Sequence, residues 1–301
     1  MDAMNPRRRR MLIPGLLIAL LVVAAIASFT GRADGAEQQP VSRMDDPRIT
    51  ESSGLAVSRA HDDLASPIND SGHDPLVYAV RISTGETVGV TRLDADVTDP
   101  EALALHDGTL WVADTGDNAA TRDEIALLAL PEPGPGDQSA TPDRYRVTLD
   151  RPADIEALLV DPEGVPHLVT KVIGSGTVYR LDHLSTAAPA AATRLDIAAP
   201  PVVTDAAFAP DGSSIVLLTY LGAHVLDPDS WQTRATMPLP PLEQAETIAY
   251  TDPFHVLVGS EGENSPLYRM SLPMTVPQEL AAVPGLGLVV LLIATFGDHL
   301  R

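Results

Sequence analysis

Cysteine is absent from all 301 residues. That excludes a disulfide framework, a thiolate zinc centre and a cysteine nucleophile. Lysine is nearly absent: Lys171 is the single one, so arginine makes up the rest of the 20 basic side chains. Against them stand 41 acidic residues, a formal net charge of −21. Phosphate-rich partners would be repelled, which excludes nucleic acid and anionic headgroups as natural ligands of this surface and makes cations its counter-charge. The chain also lacks a Gly-x-Ser-x-Gly elbow, a phosphate-binding Gly-rich loop and any zinc-ligand spacing. Its eight histidines are scattered and none is assigned a role.

Long apolar runs occur only at the ends. Arg7 to Arg10 precede an apolar run over residues 11–29. A positive flank before ~19 apolar residues predicts a signal peptide or signal anchor in residues 1–30. Residues 31–40 then read as a linker. A second uncharged apolar run, residues 280–296, lies in the C-terminal segment 274–301 and is about long enough to span a bilayer. Together the runs predict a membrane protein whose central domain, residues 41–273, sits on the extracytoplasmic side.

Inside that domain a short phrase returns five times: a polar or acidic residue, a small or polar one, then an apolar run. It reads Ser53-Gly54-Leu55, Glu101-Ala102-Leu103, Glu156-Ala157-Leu158, Asp205-Ala206-Ala207 and Glu246-Thr247-Ile248. A unit repeating every ~40–50 residues is the signature of a propeller. Each phrase is followed by a Gly/Pro/Asp turn signal and further short strands, which predicts an all-β fold rather than βαβ units. The count is five blades, or six if residues 131–150 hide a divergent unit. The fifth unit lacks a fourth strand. Residues 41–46 match the fourth-strand pattern and are expected to close the ring from the N-terminal side, removing exposed edges.

The start of strand one lies beside the end of strand two in a hairpin. One channel mouth should therefore collect Glu101, Glu156, Asp205 and Glu246, with Asp70, Asp114, Asp117, Glu261 and Lys171 around them. Clustered carboxylates need a compensating cation. Oxygen ligands at flexible spacing suit Ca²⁺, and Asp114, Asp117 and Asn118 with Glu101 form the candidate metal set. The alternative is that these groups make only turn and capping hydrogen bonds. Lys171 could bind an anionic substrate or neutralise the ring. Arg122, Asp70, Asp205, Tyr220, Glu246 and Glu261 are candidate ligand-binding residues. If the protein is an enzyme, Glu101, Glu156 and Lys171 are the catalytic candidates.

Several phrases occur together: Glu51-Ser52-Ser53-Gly54-Leu55-Ala56, Asn69-Asp70-Ser71-Gly72, Asp114-Thr115-Gly116-Asp117-Asn118 with Arg122, Asp154-Ile155-Glu156-Ala157-Leu158, and Thr170-Lys171. This combination resembles secreted bacterial β-propeller proteins related to the esterase-like phytase and SdiA-regulated propellers, over roughly residues 41–273. The resemblance implies a propeller, export and an option of Ca²⁺ dependence. It implies activity only weakly, since propellers host hydrolases and binding modules alike. One departure is Ser66-Pro67-Ile68, where an aromatic strand would be expected; Pro67 predicts an irregular or edge strand. Two functions follow. The first is a membrane-anchored propeller binding a small molecule or cell-envelope component at its acidic mouth. The alternative is a Ca²⁺-dependent or carboxylate-pair hydrolase of phosphoesters or glycosides.

Overall fold

A computed structural model describes residues 37–273. The expected signal segment and C-terminal span lie outside the described residues. Among those described, no helix is long and apolar enough to cross a membrane.

The chain opens with β1 (Gln38–Arg43). The first blade follows as β2 (Ser52–Val57), β3 (Leu64–Asn69), β4 (Leu76–Arg81) and β5 (Thr87–Leu93). The second is β6 (Pro100–His106), β7 (Thr109–Asp114), β8 (Ile125–Pro131) and β10 (Asp143–Thr148), with the short β9 (Gln138–Ala140) preceding β10 in the chain. The third is β11 (Ile155–Val160), β12 (Pro166–Thr170), β13 (Gly176–Arg180) and β15 (Thr193–Ala199), with the short β14 (Ala190–Ala191) preceding β15 in the chain. The fourth is β16 (Val203–Phe208), β17 (Ile215–Thr219), β18 (Gly222–Leu226) and β19 (Thr233–Met237). The last is β20 (Ala245–Asp252), β21 (His255–Ser260) and β22 (Pro266–Ser271).

These strands make five sheets, a five-bladed propeller. Its innermost strands β2, β6, β11, β16 and β20 pack in a closed circle, each against the next and β20 against β2. β1 completes the last sheet antiparallel to β22, so the N-terminal strand closes the ring as expected. It begins three residues earlier than the 41–46 segment read from the sequence. Two short strands were not anticipated. β9 adds to the first blade parallel to β5, and β14 adds to the second parallel to β10. Each comes from chain belonging to a later point in the sequence and ties one blade's outer edge to its successor. Residues 131–150 thus hold edge strands, not a sixth blade.

The apolar runs bury themselves between blades. Five buried clusters occur, one for each pair of neighbours: Leu55 and Tyr78 meet Leu257 and Leu267 between first and last, and Ile68 and Val77 meet Leu110 and Leu128 between first and second. The others unite second with third, third with fourth and fourth with fifth. Gly54 permits a close approach of the first two innermost strands, because a Cβ there would run into the backbone of Ala102 and Leu103. Pro67 is not at an edge: β3 lies between β2 and β4, and Leu55 pairs with Pro67. The irregularity falls on the other side, where the ladder to β4 skips from Ala65 to Ile68. A proline has no N–H to donate there.

Candidate functional site

Every innermost strand carries a bulge at the same level. The pairing with strand two skips one residue between Ser52 and Gly54, Pro100 and Ala102, Ile155 and Ala157, Val203 and Asp205, and Ala245 and Thr247. The skipped residues are Ser53, Glu101, Glu156, Thr204 and Glu246. A bulge re-aims a side chain out of the alternating pattern, and here it recurs as a ring. The ring corrects the sequence alignment in the fourth blade: the equivalent of Glu101 is Thr204, not Asp205. Two hydrogen bonds say the same. Ser53 Oγ donates to Pro100 O and Thr204 Oγ1 to Ala245 O, each the carbonyl just before the next blade's bulge.

A second ring stands beside the first. The residues that follow strand two include Asp70, Thr115, Lys171 and Glu261. Their backbone N–H groups donate to the carbonyls of Glu51, Asp99, Asp154 and Gln244, at 2.8–3.1 Å. This places Asp70, Lys171 and Glu261 against the strand-one entries, as expected from hairpin geometry. It also brings in Asp99 and Asp154, which the sequence analysis did not assign.

Five carboxylates converge. Asp70, Asp99 and Glu101 each offer an oxygen within 4.8 Å of the others, and so do Glu101, Asp154 and Glu156. Glu101 belongs to both groups. It is 4% exposed, and its carboxylate enters no hydrogen bond or ion pair among the described residues. Gly116 makes room for it: a Cβ there would fall onto the Glu101 and Asp99 carboxylates. Burial, then the charges of Glu156, Asp70, Asp99 and Asp154, pushes the Glu101 carboxyl up to about 10. Asp99 is also raised, by burial and by Asp70.

The far side of the ring is held differently. Lys171 Nζ lies 3.0 Å from Glu156 Oε1 and 5.4 Å from the centre of the Tyr220 ring. Tyr220 Oη donates to Glu246 Oε1 at 2.6 Å, and Gln244 Nε2 donates to the same oxygen at 2.8 Å and to Glu261 Oε2 at 2.7 Å. Burial pulls Lys171 down, but Glu156 and Glu246 outweigh it and hold the ammonium above its ordinary range. Burial raises Glu156 and Glu246 against the opposing pull of Lys171. Glu261 is pushed up to about 7 by burial and by Glu246.

Five sequence candidates lie apart from this cluster. Asp205 is fully buried and accepts the N–H groups of Ala206 and, on the next blade, Ile248, at 2.8 and 2.7 Å. Asp114 accepts Arg122 and Arg144, both at 3.1 Å, and caps the N–H groups of Thr98 and Asp99. Asp117 accepts the N–H groups of Thr121 and Arg122 and donates its own N–H to Asp154 Oδ1. Arg122 binds back to Gly116 O and Asp114 O, so its guanidinium stitches the loop. Asn118 is exposed. The loop therefore shapes the site through its backbone and Gly116, while Asp99 and Asp154 supply the oxygens. The signal for those two was the Asp-x-Glu spacing shared by Asp99-Pro100-Glu101 and Asp154-Ile155-Glu156.

The opposite end of the channel is lined largely by apolar side chains. A cavity of about 50 Å³ lies in the channel among Leu55, Leu103, Leu159, Phe208 and Tyr250. Arg59 crosses it from the first blade to donate to Tyr250 O and Thr251 O, each at 3.0 Å.

The chain matches no protein-family model and no curated protein. Among solved structures it is similar to a chain in the crystal structure of a nidogen/laminin complex. The identity is 12%, the TM-score 0.42, and the match covers 70% of this chain and 72% of that one.

Proposed function

We propose that this is an exported, membrane-tethered β-propeller whose acidic mouth binds divalent cations, Ca²⁺ in the first place, and through them a small molecule or cell-envelope component. We place it with the secreted propellers related to the esterase-like phytase and SdiA-regulated group. The observation that carries the cation reading is Glu101. A buried carboxylate with no partner is costly, and it stays neutral or finds a cation. Glu101 stands at the junction of two carboxylate groups, each with oxygen donors close enough to share one ion. The two groups share Glu101, and each offers enough oxygen donors for one divalent cation. All donors are oxygen, which suits a hard cation with flexible coordination. Export and tethering rest on the Arg7–Arg10 cluster and the two terminal apolar runs.

Binding stands ahead of hydrolysis because the other ring carboxylates are already committed. Glu156 is tied to Lys171, and Glu246 to Tyr220 and Gln244. Neither is left free as a general acid or base. Calorimetric titration of the purified full chain with CaCl₂ tests the reading. Uptake near two ions per chain is expected, with Mg²⁺ weaker because it resists dehydration. Glu101→Gln should abolish tight uptake at both positions. A wild-type chain that takes up no Ca²⁺ overturns the proposal.

A further inference from the structure

The rim of the acidic mouth is not acidic throughout. Among the described residues the large exposed apolar side chains are Val172, Ile173, Tyr220, Leu221 and Phe254. The first four stand on two loops at the mouth. Val172 and Ile173 follow β12, and Tyr220 and Leu221 form the tight turn between β17 and β18. The loops meet where Lys171 Nζ lies over the Tyr220 ring. Ile173 is 93% exposed and Leu221 78%. Single exposed apolar residues need no explanation, but a group on one rim marks a contact surface.

Beside Tyr220 the same rim opens into a cleft of about 380 Å³, within the range of small-molecule sites. Its other wall is the segment between β19 and β20, residues 238–244. Pro238-Leu239-Pro240-Pro241-Leu242 fixes three φ angles in five residues, and Leu242 N–H donates to Pro240 O at 2.8 Å. Gln38 Nε2 donates to Pro238 O at 2.8 Å and pins the segment from β1. On the Tyr220 side, Thr219 Oγ1 accepts the N–H groups of Leu221 and Gly222, both at 3.1 Å. Both walls are thus set before a ligand arrives, which lowers the ordering cost of binding.

Leu239, Pro240, Leu242 and Ala245 make the cleft apolar over most of its lining. Its polar residues are Tyr220, Glu243 and Gln244, and none has a side-chain donor to spare. The Tyr220 proton is committed to Glu246 Oε1, and the Gln244 amide hydrogens to Glu246 and Glu261. What remains is the amide oxygen of Gln244 and the carboxylate of Glu243. Glu243 is exposed, and its carboxylate enters no hydrogen bond or ion pair among the described residues. No arginine or lysine lines the cleft. Lys171, beside Tyr220, is already paired with Glu156.

We propose that this cleft binds an organic ammonium ion with an apolar body, a primary amine carrying an alkyl or aryl group. An ammonium has three donors and no acceptor, the complement of Gln244 Oε1 and the Glu243 carboxylate. Its charge is drawn by Glu243, Glu246 and Glu261. The apolar body lies along Leu239 and Leu242 and extends toward Leu221 on the rim. An anionic ligand would meet only acceptors and carboxylates. The site includes neither Glu101 nor the carboxylates grouped with it, so it does not rest on the metal reading.

Calorimetric titration of the purified full chain in EDTA tests the site. The probes are 2-phenylethylamine, 2-phenylethanol, 3-phenylpropionate and ethylamine. Phenylethylamine should bind at least about tenfold more tightly than the alcohol, since hydrogen bonds to a charged group are the stronger ones. It should outbind ethylamine, which lacks the apolar body, by a similar factor of about ten. Phenylpropionate should not bind. Glu243→Gln should weaken the amine about tenfold and leave the alcohol unchanged. Glu163→Gln, an equal loss of charge in the exposed turn between β11 and β12, should change neither. Leu242→Ala should weaken amine and alcohol alike, and it keeps the test open should Glu243→Gln disturb the fold. An amine that binds no better than the alcohol overturns the ligand class. Equal effects of Glu243→Gln and Glu163→Gln overturn the location. Amine binding that appears only after Ca²⁺ is added overturns this cleft and leaves the metal centre standing. Amine binding in EDTA by a chain that takes up no Ca²⁺ supports the cleft and overturns the metal reading alone.

Discussion

Glu101 should make the metal-free protein lose stability as pH rises, and the sign follows from where its proton sits. Its carboxyl is held at about 10 in the folded chain against an ordinary 4.5. Between those values the folded state keeps a proton that the unfolded state has released. Stability therefore falls with pH across the window, by about 1.4 kcal/mol per unit for each proton retained. From pH 7 to 9 in EDTA, Glu101 alone removes about 3 kcal/mol, or about 6–12 °C in melting temperature for a domain of this size. Asp205, fully buried and also raised, acts in the same direction. His167 and His224 are depressed by burial and oppose this trend, but only weakly above pH 7, where most of the unfolded-state imidazole is already neutral. Glu101→Gln replaces the retained proton with an amide. The variant should melt higher than wild type at pH 9 in EDTA and show a shallower slope. Millimolar Ca²⁺ should reverse the wild-type trend, because metal binding requires the ionised form and strengthens with pH. The assay is circular-dichroism melting of the full chain at pH 7, 8 and 9, with EDTA or Ca²⁺. A wild-type melting temperature that stays level or rises with pH in EDTA, or a Glu101→Gln slope equal to wild type, would refute the argument.

Two further outcomes follow from the packing. Deleting residues 38–43 removes β1, frees the edge of β22 and should cost about 3–5 kcal/mol for the lost ladder. It should also bring concentration-dependent aggregation, read by melting and light scattering; unchanged melting without aggregation would show that the ring does not depend on this strand. Asp114→Asn should destabilise by about 2–4 kcal/mol, since Arg122 and Arg144 lose a buried partner while keeping some solvent. The Ca²⁺-induced rise in melting temperature should survive it. Loss of that rise with little change in stability would mean that Asp114 is a ligand after all.

The propeller was legible because its blades repeat. A period near 48 residues, with a turn signal after each apolar phrase, leaves little freedom in strand order. β9 and β14 were not legible: three and two residues carry no periodicity, and their pairing is set by where the preceding loop lands. The ring of bulge residues was legible to within one residue. Ser53, Glu101, Glu156 and Glu246 occupy the bulge, where the side chain escapes the period of two. In the fourth blade the acidic residue falls one place later, so Asp205 reads as part of the ring in sequence but caps backbone in space. The Asp114 loop looked like a cation loop because it is rich in oxygen. Two arginines and four backbone N–H groups take up Asp114 and Asp117. What the loop contributes is the absence of a side chain at Gly116, which no count of acidic residues could show.

The closing strand sets an order on the protein's birth. β1 leaves the ribosome first, yet its partner β22 is separated from it by the whole length of the propeller. At synthesis rates of about 5–20 residues per second, β1 waits roughly 10–50 s for that partner. The first blade waits on β9, and the second on β14, so no blade with a borrowed edge strand seals until its successor has emerged. Closure is thus a late, single event that inspects the whole chain. A nascent chain cut short anywhere before residue 266 would hold an unclosed ring and bare strand edges, and would be marked for degradation by the same edges that completion hides.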